Sequence, residues 1–171
     1  KTAAAEAVPE ATAVMDPFHV VALAGDKLNT TRQRVQRELT GERGRRDDPL
    51  YKARRTLRTG RTLLTEKQKI RLAALWANDD LAAVEVTWLV YQDIIDAYRD
   101  TNRATGKQLL TTVIDRIRHG LPTGLGELAQ LGRTLHARRH DILAWFDHPG
   151  SSNGPTEAIN GRLEHLRGIA L

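Results

Sequence analysis

The strongest constraint in this sequence is a helical spacing of apolar residues that runs from Pro17 to Phe146. Over this stretch, apolar side chains recur three and four positions apart, which places them on one face of an α-helix. We therefore predict a body that is mainly α-helical. The tryptophans Trp76, Trp88 and Trp145 all fall within this stretch, and we expect them to lie inside that body.

Turn-forming residues divide the stretch into six predicted helices. Asp16 is a candidate N-cap ahead of a proline at the first helical position, and Thr65 begins a capping-box pattern. The fourth helix is the most apolar, so we expect it at the centre of the core. The predicted helices cover residues 17–39, 50–58, 65–75, 81–100, 105–119 and 125–146.

A single strand is predicted ahead of the helices, over residues 11–16. It follows Pro9 and brings the apolar pair Val14 and Met15 to an acidic end at Asp16. A buried strand needs partner strands, because unpaired backbone donors and acceptors are costly inside a core. The pattern therefore favours partner strands outside this sequence, and we expect the chain to be cut from a longer one at both ends.

Composition excludes several classes of function. The chain has 171 residues, which suits one compact domain, with 26 Lys and Arg against 21 Asp and Glu and a net charge of +5. It contains no cysteine, so thiolate metal centres, disulfides and cysteine nucleophiles are excluded. No apolar stretch is long enough for a membrane helix, and no phosphate-binding glycine loop is present. We therefore expect a basic protein without a membrane partner.

Two carboxylates are candidate functional groups. Asp16 ends the predicted strand, where a carboxylate is held rigidly and can meet a ligand, but it can equally cap the helix that follows. Glu157 lies in the first turn of a further predicted helix, where it can complete a capping box or line a cleft together with Asn160 and Glu164. His19 could act as a ligand or a base, or could have only a structural role. The local sequence leaves these alternatives open.

The arginines are candidate contacts for nucleic-acid phosphates. Two basic clusters precede the third predicted helix, and phosphate neutralisation by such clusters makes binding depend on salt. The alternative is an ordinary solvated face, because Glu42, Asp47 and Asp48 lie among the arginines. The candidate contacts are Arg43, Arg45, Arg46, Arg54, Arg55, Arg58 and Arg61.

The segments around the two carboxylates, taken together, resemble one enzyme family. AVMDPFHVVALAGDKLNTTRQRVQ contains Asp16 and FDHPGSSNGPTEAINGRLEHLRG contains Glu157. Both resemble the catalytic domain of bacterial insertion-sequence transposases, specifically the ISL-three family of DDE enzymes. The intervening RGRRDDPLYKARRTL, LTEKQKIRL and ARRHDILAWFD resemble the same family, so the resemblance covers essentially the whole chain.

The resemblance implies an RNase H-like α/β catalytic core, of which one strand is present here, interrupted by a large all-helical insertion. Residues 1–20 would belong to the core and end in the second catalytic Asp, Asp16. Residues 21–147 would form the insertion, and residues 148–171 a loop and a core helix that carries the catalytic Glu157. Such an enzyme is expected to cut and join DNA by phosphoryl transfer, with carboxylates holding two Mg²⁺ or Mn²⁺ ions.

The same resemblance implies transposon ends and target DNA as partners, a homo-oligomeric parent enzyme, and a place in the bacterial cytoplasm at the nucleoid. The first Asp of the family lies upstream of this sequence, and neither Glu6 nor Glu10 can replace it. We therefore expect this chain alone to be inactive. The alternatives are a non-catalytic basic helical module that binds DNA or a transposase, and a decayed reading frame.

Overall fold

The structure, a computed structural model, describes residues 12–42, 44 and 46–150. Within these residues it is mainly α-helical, as predicted. Two short 3₁₀ turns, Arg61–Leu63 and Asp79–Leu81, connect the helices. The α-helices are α1 Pro17–Thr40, α2 Pro49–Lys52, α3 Arg54–Leu57, α4 Glu66–Trp76, α5 Ala82–Arg99, α6 Arg103–Arg118, α7 Gly126–Ala137 and α8 Arg139–Asp147.

Helix α1 begins and ends as its sequence predicts. The Asp16 carboxylate accepts a hydrogen bond of 2.8 Å from the Phe18 amide, and Pro17 occupies the first helical position. At the other end Gly41 adopts a left-handed conformation, with φ of 75°, and its amide donates to the Arg37 carbonyl. The capping box at Thr65 is also formed, so the two caps predicted from the sequence, at Asp16 and Thr65, are confirmed.

The core is built around α5, which packs against α1 on one side and α6 on the other. Helix α7 packs against α6 and α1, and α8 packs mainly against α6. The apolar residues of α5 include Val84 and Ile94, which are completely buried, and Trp88, which is 9% exposed. This confirms the central position predicted for that helix. The predicted location of Trp76 and Trp145 is confirmed as well, since both pack against the core.

Two glycines allow these helices to approach closely. A Cβ atom at Gly106 in α6 would collide with the Ala97 carbonyl of α5 and lie 2.9 Å from a ring carbon of Phe146. A Cβ atom at Gly132 in α7 would collide with the Ile117 carbonyl of α6. These helix pairs can therefore lie this close because glycine has no Cβ atom at the two crossing points.

Two predicted helices are each divided in the structure. Ala53 separates α2 from α3, and Arg138, with φ of −108° and ψ of 12°, separates α7 from α8. The chain continues in a new direction at Arg138, which lets α8 bring Phe146 onto Gly106 of α6. The sequence at Arg138 contains neither Gly nor Pro, so the predicted single helix over 125–146 is wrong for a reason that lies in tertiary packing.

The predicted strand is not formed by the part of it that the structure describes. Residues 12–16 are not helical and pair with no strand in the described ranges. Instead, the Met15 amide donates a 2.9 Å hydrogen bond to the Asp141 carbonyl in the first turn of α8, and the Met15 side chain packs against the core. The apolar pattern thus reflects packing on a helical body, because one backbone hydrogen bond to a helix carbonyl does not make a ladder.

A membrane-spanning helix must be both long and apolar, and the helices of the described residues do not meet these requirements.

Candidate functional site

The start and the end of the helical body lie side by side. The Met15 amide is bonded to the Asp141 carbonyl, so the segment that leads into α1 runs along α8. Thr12 lines the same cleft as Asp147 and His148, which are the residues where α8 ends. The chain therefore leaves the body close to the place where it enters it.

Asp16 lies at this junction, and only 7% of its surface is exposed. Its carboxylate caps α1, which confirms the capping role, and its negative charge also acts on Tyr98 of α5. Burial raises the pKa of the Tyr98 phenol well above its usual range, and the charge of Asp16 raises that pKa further. The carboxylate is thus held in place on a rigid element and faces the inside of the junction.

An aromatic cluster fastens the end of α8 to α5. The Tyr98 ring stacks on Phe146, with centroids 5.3 Å apart and planes within 5°, and meets Trp145 edge to face. The Arg103 guanidinium lies 4.2 Å from the centre of the Trp145 ring and donates to the carbonyls of Trp145 and Phe146. These bonds satisfy carbonyls in the last turn of α8 and fix the point from which the chain leaves the body.

The other predicted ligands have different positions. Glu157 lies outside the described residues, so its placement beside Asp16 stays a prediction. His19 is exposed on the first turn of α1 and meets the Phe18 ring edge to face at 5.9 Å. Among the residues that the structure describes, no group of three or more His, Asp or Glu side chains could hold a metal ion. Asp16 carries a hard carboxylate oxygen, a ligand type that suits Mg²⁺, and its role as a metal ligand stays a prediction.

The predicted DNA contacts fall into three groups. Arg43 and Arg45 lie outside the described residues. Arg46 and Arg55 are exposed and have no charged partner in the described part of the chain. The remaining three are occupied: Arg54 lies over the Tyr51 ring at 4.2 Å, Arg58 pairs with Asp26 at 3.3 Å, and Arg61 pairs with Asp93 at 2.7 Å.

A cleft that the sequence did not reveal lies beside the junction. It has a volume of about 690 Å³ and is lined by polar side chains from α6, α7, α8 and the residue after α8, and by Thr12. Three of its side chains are histidines, to which the sequence assigned no role. The sequence did not indicate that His148, after the end of α8, and Lys107 of α6 lie beside His136 and His140. The polar lining residues are Lys107, His136, Arg139, His140, Asp147 and His148.

A second groove, of about 650 Å³, lies at the far end of α1 and is lined by apolar residues such as Leu39, Leu50 and Leu75. A helix of 24 residues is about 35 Å long, so this groove is remote from Asp16. The polar side chains of this groove include Asp47 and Asp48, and nothing in the groove suggests a catalytic group.

The chain was compared with models of known protein families. A family model named DDE_Tnp_ISL3 and described as a transposase matches residues 1–171. No curated protein and no solved structure matches the chain.

Proposed function

This protein belongs to the ISL-three family of transposases, and we propose that it supplies two of the carboxylates with which such an enzyme cuts and joins DNA in a metal-dependent reaction. DNA is the substrate of a transposase. The proposed carboxylates are Asp16 and Glu157, with Mg²⁺ or Mn²⁺ as the metal. A third carboxylate would come from an upstream segment, so that the chain alone would not transfer strands.

The observation that carries this proposal is the adjacency of the two ends of the helical body. Asp16 precedes α1, and the chain leaves the body after Asp147, which lies near the same junction. The ten residues from Asp147 to Glu157 can span up to about 35 Å when extended. The body therefore allows the two carboxylates to meet, although the whole of it lies between them in sequence.

The reaction would proceed by in-line displacement at a phosphate of DNA. Divalent cations held by the carboxylates would activate the attacking water or 3′-hydroxyl and stabilise the leaving oxygen. In this arrangement Asp16 would hold a cation in a fixed position, because the first turn of α1 and the packing around it fix the position of its carboxylate. The family parent is proposed to act as a homo-oligomer on paired transposon ends.

Substitution of Asp16 by Asn separates the ligand role from the capping role. Asn caps helices as well as Asp does, so Asp16→Asn should leave α1 intact, whereas it removes an anionic metal ligand. In a polypeptide that also contains the upstream carboxylate, we expect Asp16→Asn and Glu157→Gln each to reduce metal-dependent strand cleavage at least about a hundredfold, since metal stabilisation is worth several kcal/mol.

Asp48→Asn is the matched control, because Asp48 caps α2 in the way that Asp16 caps α1. It should keep full cleavage activity. Full activity in Asp16→Asn, with unchanged helicity by circular dichroism, would leave Asp16 with the capping role alone. DNA binding without any metal-dependent cleavage in the same polypeptide would instead support a non-catalytic binding module.

A further inference from the structure

We propose that the cleft beside the junction, lined by α6, α7 and α8, binds a phosphate of the DNA backbone. The inference rests on the proposed function only for the identity of the phosphate source, since DNA is what the enzyme must hold near Asp16. The cleft is separate from the arginine clusters in which the sequence placed DNA contacts.

The lining of the cleft is rich in nitrogen donors. Lys107 and Arg139 contribute cationic donors, and His136, His140 and His148 contribute imidazoles, which can donate whether or not they are charged. The carboxylate of Asp147 and the hydroxyl of Thr12 are the other polar side-chain groups of the lining. Such a set suits a ligand that presents several acceptor oxygens, as a phosphodiester does.

Two exposed ion pairs hold the cations at the rim. Lys107 bonds both oxygens of Asp147, at 2.6 and 2.8 Å, and Arg139 bonds both oxygens of Asp115, at 2.6 and 3.2 Å. The hydrogen bond from Lys107 lowers the pKa of Asp147, so this pair stays ionised at neutral pH. Both carboxylates are about half exposed, and exposed pairs are weak, so a phosphate can compete for these cations.

One further feature of the lining is an unsatisfied ring nitrogen. Nδ1 of His136 is buried and has no hydrogen-bond partner in the described part of the chain. A buried ring nitrogen without a partner is costly, and a hydrogen bond gained when the lining rearranges around a ligand would offset that cost.

The position of the cleft fits a contact next to the reacting phosphate. Thr12 lies on its lining, four residues before Asp16. Because a fully extended chain covers at most about 3.6 Å per residue, four residues cover at most about 14 Å, which corresponds to about two phosphate spacings along one DNA strand. One strand could therefore reach from the cleft to Asp16 within one or two nucleotides.

The test compares two double variants that remove the same groups. Arg139→Gln with His140→Gln alters the cleft, whereas Arg118→Gln with His119→Gln alters the exposed end of α6, about 16 Å along the helix from Lys107. Both lose one guanidinium and one imidazole, so the change in net charge is equal. Binding of a labelled 20-base-pair duplex of arbitrary sequence is measured by fluorescence anisotropy, in EDTA and over a series of salt concentrations.

We expect the cleft variant to bind about tenfold more weakly than the wild-type chain and to lower the slope of log K against log salt by about one. The control variant should change affinity less than about twofold. Equal weakening of the two variants, or no weakening of the cleft variant, would overturn the proposal. If the cleft variant does not fold, as judged by circular dichroism, the single substitution His140→Gln takes its place, because that side chain is exposed.

Two additional measurements separate the sources of phosphate and the two proposals. Inorganic phosphate alone is titrated against the His140 ring resonances; a response to phosphate without any difference in duplex binding would assign the cleft to free phosphate and overturn the DNA assignment. Metal-dependent cleavage by the wild-type polypeptide that also contains the upstream carboxylate is the second measurement, and it tests the catalytic proposal separately. Failure of the catalytic proposal would appear only in metal-dependent cleavage, and failure of this inference only in duplex binding.

Discussion

At the scale of single residues, Asp16 shows what local sequence can and cannot predict. The pattern of Asp before Pro predicted a capped helix start, and the structure confirms it. Its role as a metal ligand depends on residues far away in sequence and stays a prediction. The contacts of Tyr98 with Phe146 and Trp145 were not predictable, because no periodicity links the middle of one helix to the end of another.

The salt bridge between Arg34 and Glu127 gives a prediction at this scale. Arg34 binds both carboxylate oxygens of Glu127, at 2.8 and 3.1 Å, and the Glu127 side chain is only 12% exposed. The hydrogen bonds from Arg34 lower the pKa of Glu127. A carboxyl with a lower pKa in the folded state adds stability above its unfolded pKa and loses it as pH falls through its folded pKa.

Glu127→Gln should therefore lower the free energy of unfolding by about 1–2 kcal/mol at pH 7. The difference from wild type should shrink at acidic pH, as the pH falls through the lowered pKa of Glu127 and the carboxylate is protonated. Urea unfolding at pH 7 and at acidic pH measures this. Glu38→Gln is the control, because Glu38 binds the same arginine but is 58% exposed, and it should cost less than about 0.5 kcal/mol. Equal losses in the two variants would contradict the prediction.

At the scale of secondary-structure elements, the helices with clear caps were predicted closely, whereas the divisions within helices were missed. The start of α1 and its end near residue 40 follow from Asp16, Pro17 and Gly41, which act locally. The break at Arg138 allows α8 to pack on α6, and the sequence at the break contains neither Gly nor Pro. Local chemistry thus set the helix ends that could be predicted, and tertiary packing set those that could not.

The close crossing of α6 and α7 predicts an unusual response to Gly→Ala. Alanine in a helix is normally more stable than glycine by about 1 kcal/mol. At Gly132, however, the added methyl group would meet the Ile117 carbonyl carbon at 2.8 Å, and no flexible side chain can relieve that contact. We expect Gly132→Ala to lower the free energy of unfolding by about 2 kcal/mol or more.

Gly126→Ala is the matched control in the same helix, because a methyl group there meets no atom within 4 Å. It should be neutral or stabilise the protein slightly. Thermal unfolding followed by circular dichroism compares the two, and a Gly132→Ala variant as stable as Gly126→Ala would show that the helices can separate without cost.

At the scale of the whole molecule, the helical body was predicted from apolar spacing, but the proximity of its two ends was not. No local pattern indicates that the chain leaves α8 beside the start of α1, since this depends on how all the long helices pack. Likewise, the basic clusters were visible in sequence, but the pairing of Arg58 and Arg61 with acidic residues of α1 and α5 was not. The family resemblance, rather than spacing, connected Asp16 with Glu157.

The net charge of +5 predicts weak, sequence-independent DNA binding that falls as salt rises. Among the predicted arginines, Arg55→Gln should weaken binding more than Arg61→Gln, because Arg61 is held between two largely covered carboxylates, Asp93 at 2.7 Å and Asp96 at 3.0 Å. Anisotropy titrations between about 50 and 200 mM salt measure the difference. A flat salt profile would count against phosphate contacts altogether.

The adjacency of the two ends of the body also has a consequence in polymer terms. Bringing together two groups about 140 residues apart on a flexible chain costs closure entropy that grows with the logarithm of loop length. Once the body has folded, the segment from its end to Glu157 is only about ten residues long. On that scaling, the folded helices lower the entropic cost of bringing Asp16 and Glu157 together by roughly 2 kcal/mol. Folding of the helical body would thus have the same effect on these two carboxylates as shortening the chain between them to about ten residues.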